Sequence, residues 1–343
     1  MKAKQNDSLM SISVVVPVYN SEGSLAELVS RLETTLRPLS SDLEVILVND
    51  GSRDGSWEAI CQLACEHNSI RGFNLLRNYG QQNALLCGIR MARYEIIVTL
   101  DDDLQHPPEE IPKMLDELAR GYDVVYGTPE KRHHRLWRNS TAILTKMAMQ
   151  ATLGIRGASS ISAFRVFRTP LRDAFASYQS PSVSINVLLN WGTTRFASVP
   201  VRHEERRTGK SNYSFRKLVT QAFNIITGFS VVPLQMASII GFLFTCIGIV
   251  VLLYVLGRYL IHGASVPGFT FLASLIAIFS GAQLFALGIM GEYLARMHQR
   301  MMDRPVYVVR STTDTAKHPH GSDCAGPDTG PEEGCASNLK ETR

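Results

Sequence analysis

Asp101-Asp102-Asp103-Leu104-Gln105 follows directly on the apolar run Ile96 to Leu100. Carboxylates spaced this closely at the end of a buried strand can share a hard divalent cation that keeps positions open for phosphate oxygens. An oxygen-rich set of this kind suits Mg²⁺ or Mn²⁺ better than Zn²⁺. An isolated Asp triplet would be read as a solvated acidic turn; the buried strand before it and Gln105 after it favour a metal. Asn49-Asp50-Gly51-Ser52 ends a second apolar run in the same manner. An Asp at a strand tip can accept hydrogen bonds from a nucleobase or ribose, and Gly51 lets backbone approach closely. Alone, that segment is an ordinary Asp-Gly turn. Pro17-Val18-Tyr19-Asn20 ends a third run, so three strand ends present polar groups.

Short β-rich runs alternate with helical patterns to supply these ends. Ile12 to Val18, Leu43 to Val48, Gly72 to Leu76, Glu95 to Leu100 and Asp123 to Tyr126 read as strands. Ser24–Leu36, Ser56–His67, Gln82–Ala92 and Pro108–Arg120 read as helices between them. Such alternation predicts an α/β domain with a mostly parallel sheet, whose ligands bind at the carboxyl ends of the strands. Pro107 and Pro108 suit a helix's first turn, with Glu109 and Glu110 favourable at its positive end. Leu136 to Leu153 reads as a further helix, and Ala163 to Arg168 and Val199 to His203 as further strands.

The chain has 343 residues, 45% hydrophobic and 19% charged, where a soluble domain carries about 25% charged residues. The missing charge is concentrated: Leu218 to Gly257 holds 40 positions without Asp, Glu, Lys or Arg, and Tyr259 to Gly291 another 33. Residues 236–256 and 269–290 are each long enough to span a bilayer. Before them, 214–235 reads as an amphipathic helix lying at the membrane surface, with Phe215, Leu218, Val219, Ala222 and Phe223 on one face. Arg206, Arg207, Lys210, Arg216 and Lys217 flank the pair on one side and Arg296, Arg300, Arg304 and Arg310 on the other. The positive-inside rule then puts both termini in the cytoplasm, and Met1 to Met10 has no apolar stretch of a secretory signal. This excludes a wholly soluble enzyme and, with more than 200 residues before the anchor, a wholly embedded transporter. A net charge of +4 gives no argument for nucleic acid. The six cysteines form no C-x-x-C, and Cys61 and Cys65 read as small core residues. The expected divisions are a cytosolic domain over 1–213, the surface helix region 214–235, the two spans, a cytosolic segment 291–310 and a disordered tail 311–343.

Together, the V-x-V-P-V-Y-N opening, the N-D-G-S turn, Arg77-Asn78-Tyr79-Gly80 and the D-x-D-x-Q motif resemble glycosyltransferase family 2. Arg206-Arg207-Thr208-Gly209-Lys210-Ser211-Asn212-Tyr213 is similar to the R-x-x-G-x-S-x-Y loop of its polyprenyl-phosphate glycosyltransferases, and Gly291-Glu292-Tyr293 with Arg304-Pro305-Val306-Tyr307 to the segment after their second span. The likeness covers about residues 11 to 310 and is specific in combination. It implies a GT-A type nucleotide-sugar domain that binds Mg²⁺ or Mn²⁺. It also implies transfer of one sugar, from a UDP-linked donor and with inversion, to undecaprenyl phosphate at a bacterial inner membrane, and tetrameric assembly. Position by position, it places Pro17, Tyr19, Asn20, Asp50 and Asp102 at the nucleotide. Asp103 and Gln105 fall at the metal, Asp101 at the metal or the sugar, and Arg206 at the donor diphosphate. Arg132, Arg135 and Arg138, with Ser211 and Tyr213, fall where relatives hold the lipid phosphate; a solvated basic helix start accounts equally well for the three arginines. The resemblance makes Asp101, Asp103 and Arg206 the catalytic set.

One departure has chemical content. Relatives carry an Asp before F/L-R-x-[FY]-R, and aligning Phe164-Arg165-Val166-Phe167-Arg168 puts Ser159 or Ser160 there. A phosphate monoester is largely a dianion at neutral pH, its second pKa being about 6, and needs no base to attack. Two other readings stand beside this one. Transfer to a lipid hydroxyl such as that of a diacylglycerol would need a base, with Asp101 the candidate. A flippase is disfavoured because neither span carries a carboxylate or arginine, and a scaffold with a degenerate domain because the strand-end residues are intact.

Overall fold

The structure, a computed structural model, describes residues 9–130, 162–180, 183–204, 231–262 and 268–316. Strand β1 (Met10–Val18) is followed by helix α1 (Glu22–Leu36), β2 (Ser40–Asn49), α2 (Ser56–Glu66), β3 (Ile70–Leu75), α3 (Gln81–Met91) and β4 (Ile96–Thr99). Then come α4 (Ile111–Ala119), β5 (Val124–Pro129), β6 (Arg165–Arg168), α5 (Ile185–Gly192) and β7 (Phe196–Val201). Two long helices, α6 (Val232–His262) and α7 (Phe269–Met301), precede β8 (Val309–Thr312) and the short α8 (Thr313–Ala316).

The eight strands form one sheet in the order β7-β5-β6-β4-β1-β2-β3-β8. Pairings β1–β2, β1–β4, β2–β3 and β5–β7 are parallel, while β6 and β8 run against their neighbours. The expected mostly parallel α/β sheet is therefore present. β1 is central and buried on both faces, which is why it reads as an unbroken β-branched run rather than an alternating one. Val14, Val16 and Val18 point into the core under α1, α2 and α4, and Val15 into the opposite core with α3 and α5.

Several boundaries move. β7 begins at Phe196 rather than Val199, in register with Val124 of β5. Residues 311–316, expected to open a disordered tail, instead belong to β8 and α8, where β8 pairs antiparallel with β3 and Thr313 is buried. Helix α7 runs to Met301, so the expected segment 291–310 begins as helix. Cys87 is buried as a core residue, but Cys65 is exposed and Cys61 half-buried on α2. The helix expected at Leu136–Leu153 and nearly all of the surface helix 214–235 lie outside the described residues.

Helices α6 and α7 have 31 and 33 residues, and both are long and apolar enough to cross a membrane. Phe244 of α6 meets Phe279 of α7 edge-on, ring centroids 5.8 Å apart, and the same ring closes on Gly248. Leu243, Val250, Leu253, Leu284 and Leu287 are exposed, a surface unsuited to water.

Candidate functional site

The carboxyl ends of β1, β2 and β4 lie side by side because these strands are parallel neighbours. Each end turns sharply. Asn20 (φ 54°) and Gly51 (φ 65°) take left-handed backbone after β1 and β2. A Cβ on Gly51 would lie 2.5 Å from the Asn78 amide nitrogen, so the 77–80 loop rests directly on this glycine. After β4 the left-handed residue is Leu104 (φ 58°), which is also buried. A bulky side chain pays a strain cost in that region, and here core packing of Leu104 holds the turn that carries the acidic motif.

Asp50 is buried, and its two oxygens accept from the amides of Tyr79 (2.7 Å) and Gly80 (2.9 Å). Burial pushes its carboxyl up from the ordinary range, and the two amides pull it back. Asp102 Oδ2 accepts from the Tyr19 amide at 3.1 Å, and the Asp102 carbonyl from Ser24 Oγ at 2.8 Å. Asn20 Oδ1 accepts from the Arg53 amide at 2.8 Å. Three residues expected at the nucleotide thus shape the backbone of the cleft. Tyr19 stands exposed at its rim, while Pro17 is buried within β1.

The acidic loop differs. Burial first, then the charges of Asp103 and Asp102, push the Asp101 carboxyl up to about 7, against the opposing pull of Arg165 and a hydrogen bond from Gln81. That bond, Gln81 Nε2 to Asp101 Oδ1, measures 2.5 Å. Asp103 Oδ1 accepts from the Gln105 amide at 3.2 Å. The oxygen donors suit a hard divalent cation, and the mutual destabilisation of the carboxylates is what such a cation relieves. Among the described residues no group of three or more His, Cys, Asp or Glu is placed to hold a metal ion by itself. An open set of this kind fits an ion that shares its coordination with phosphate oxygens.

Sequence reasoning missed the layer beneath this loop. Arg165, fully buried on β6, donates through Nε to Thr99 Oγ1 (2.9 Å) and through Nη1 to Asn186 Oδ1 (2.6 Å). It served above only to align the F-R-x-F-R segment. His106, next to Gln105, is buried against Phe164 and His203, with ring centroids 5.2 Å away in each case. Burial and His203 hold its imidazole down at about 4, so it is neutral. Glu109 and Glu110 do more than favour a helix end. Glu109 makes a bidentate pair with Arg31 at 2.9 and 2.8 Å, and buried Glu110 binds Lys113 and Arg202, each at 2.6 Å. The Glu204 amide donates to the Gln105 carbonyl at 3.0 Å, which fixes the exit of β7 against the acidic loop. Arg206, Ser211, Tyr213, Arg132, Arg135, Arg138, Ser159 and Ser160 lie outside the described residues.

Residues 13–175 match glycosyl transferase family 2. Undecaprenyl-phosphate 4-deoxy-4-formamido-L-arabinose transferase of Pseudomonas paraeruginosa is 35% identical over 309 residues, 89% of this chain and 91% of the relative. Its namesake in Shewanella sediminis is 37% identical over 313 residues, 90% of this chain and 94% of the relative. Among solved structures, glucosyl-3-phosphoglycerate synthase of Mycobacterium tuberculosis, in complex with Mn²⁺, UDP-glucose and phosphoglyceric acid, covers 64% of this chain and 78% of its own at 16% identity, with a TM-score of 0.48.

Proposed function

The chain belongs to glycosyl transferase family 2, and on that premise we propose that it transfers one sugar from a nucleotide sugar to undecaprenyl phosphate, with inversion, at a bacterial inner membrane. The observation that carries this reading is the joining of an open acidic loop at the end of β4 to two spanning helices within one chain. The anchor brings the sheet to the depth of a lipid phosphate. Support for the acceptor comes from the relatives, which are named for transfer to undecaprenyl phosphate and match nearly their whole length.

The donor is UDP-linked in this reading, with the nucleotide at the strand ends that carry Pro17, Tyr19, Asn20, Asp50 and Asp102, beside the 77–80 loop. Asp103, Gln105 and Asp101 would hold Mg²⁺ or Mn²⁺, which when bound would supply positive charge to the leaving diphosphate. Arg206 would meet that diphosphate, and Arg132, Arg135 and Arg138, with Ser211 and Tyr213, would hold the acceptor phosphate. The dianionic phosphate oxygen attacks the anomeric carbon as the bond to the nucleoside diphosphate breaks, so no proton has to be removed. Positioning and electrostatics then carry the rate, and Ser159 or Ser160 suffices where relatives have Asp. Domain 1–213 faces the cytoplasm with both termini, and the homotetramer implied by the family remains part of the same proposal.

A second reading has one observation in its favour. Asp101, at about 7, could act as a base toward a lipid hydroxyl such as that of a diacylglycerol. A panel of UDP-, GDP- and other nucleotide sugars, assayed separately with undecaprenyl phosphate and with diacylglycerol and read by product mass, separates the two. A polyprenyl phosphosugar labile to mild acid supports the first; an acid-stable glycolipid formed only with diacylglycerol would sink it.

A further inference from the structure

The chain leaves α7 at Met301, turns at Asp303 (φ 45°) and within a few residues is back on the sheet. Val306 is buried among the residues under α3, and the Arg90 guanidinium lies 5.8 Å from the centre of the Tyr307 ring. The Val308 carbonyl accepts from the Leu76 amide at 2.9 Å. β8 then pairs with β3, Leu75 opposite Val309 and Phe73 opposite Thr312. Thr313 Oγ1 accepts from the Gly72 amide at 2.9 Å. Asp314 Oδ2 accepts from Arg71 Nε and Nη2 at 3.2 and 3.1 Å, while Arg71 Nη1 reaches buried Glu44 at 2.9 Å. A Cβ on Gly72 would come within 2.8 Å of Thr313 Cγ2, so the strap seats at a position cut to receive it.

The segment it grips, Arg71 to Leu76, runs straight into Arg77-Asn78-Tyr79-Gly80. That loop rests on Gly51 and supplies both amides to Asp50. The last strap contact, on the Leu76 amide, is one residue from the loop. We propose that residues 306–314 position the donor-nucleotide loop, holding Arg77–Gly80 against Asp50 from the edge of the sheet, with Thr313 and Asp314 as positioning residues. This rests on the reading of the cleft as the nucleotide site. An edge strand that only added stability would act through the domain as a whole; one that positions the loop acts on nucleotide affinity beyond its effect on stability.

The test uses the full chain in nanodiscs of neutral phospholipid, with UDP and GDP titrated in the presence of Mn²⁺. Thr313→Val/Asp314→Asn should weaken binding of whichever nucleotide the wild type takes by about five- to ten-fold, the scale of one or two lost hydrogen bonds. Thr313→Ser, which keeps the hydroxyl, should restore the Thr313 share. Thr193→Val removes a hydrogen bond to Asp123 of 2.6 Å at the far edge of the domain and should lower the melting temperature without changing affinity. Unchanged affinity in the double variant despite a lower melting temperature would overturn the proposal, as would an equal loss in Thr193→Val. If the double variant fails to fold, Thr313→Val alone carries the measurement. Asp50→Asn keeps the two failures apart: wild-type affinity in that variant overturns the nucleotide reading, whereas loss there with no change at Thr313 and Asp314 overturns only the strap.

Discussion

Asp50 and Asp101 each follow a buried parallel strand, yet their surroundings have opposite purposes. Asp50 has its charge met from within the protein by two backbone amides. Asp101 has its charge opposed first by burial and then by two neighbouring carboxylates at the same strand end, with Arg165 and Gln81 pulling the other way. The first arrangement is a finished frame that fixes a loop. The second is a demand that the protein leaves for a ligand to meet. The contrast shows why acidic residues at adjacent strand ends need separate assignments: one type fixes backbone, and the other, in the proposed function, is where a cation would bind.

The contrast breaks most sharply at Asp103. Asp103→Ala should lower transfer by about 10³-fold or more, as loss of metal-borne charge stabilisation would, with the melting temperature little changed; removing divalent ions with a chelator should do the same. Retained activity in either case would put Asp103 on the frame side. Asp50→Asn should act through the frame instead: one of the two amides of the 77–80 loop loses its acceptor, so nucleotide binding weakens and the unfolding free energy falls by about 1–3 kcal/mol, measured by nucleotide titration and denaturant titration.

A smaller effect concerns the tie between α1 and the turn before α4. The hydrogen bond from Arg31 holds the Glu109 carboxyl below the ordinary glutamate range. A depressed folded pKa contributes stability above the unfolded value, which is lost as pH falls through the folded one. The stability gap between wild type and Glu109→Gln should therefore be present at neutral pH and close on acidification below the usual glutamate range. A gap independent of pH would mean that the pair acts through packing. The smallest effect is expected at Ser159: Ser159→Ala should keep transfer within about two-fold of wild type if the acceptor arrives as a dianion. A loss near that of Asp103→Ala would end the base-free mechanism.

Most of the sheet and the acidic loop were legible because they obey local rules. β1, β2 and β4 carry runs of Val, Ile and Leu that end at turn residues, and the polar motifs sit where those runs stop. The two long apolar helices were legible from the placement of charge alone. β8 was not, since Val-Arg-Ser-Thr has neither the length nor the apolar content of a strand and its partner lies more than 200 residues earlier. It pairs with Phe73, Asn74 and Leu75, and its flanks are held by Arg71, Gly72 and Leu76, a context that no short window contains. The Arg165 and His106 layer was hidden for a related reason: a charged or polar residue in sequence looks exposed until tertiary packing buries it. The roles of Asp50 and Asp102 in fixing backbone depend likewise on amides that sequence cannot place.

The position of β8 also bears on how the protein is made. A ribosome delivers the chain from its N-terminus, and domains fold in that order. β3 and its loop emerge early, but the strand that closes their edge is encoded after both apolar helices. Until α7 has cleared the ribosome, the outer edge of β3 has open hydrogen-bonding groups and the loop over Gly51 lacks its outer brace. If the cleft is the nucleotide site, its outer brace is thus synthesised after both long apolar helices. A chain whose synthesis stops before β8 would therefore lack the strand that closes the edge of β3.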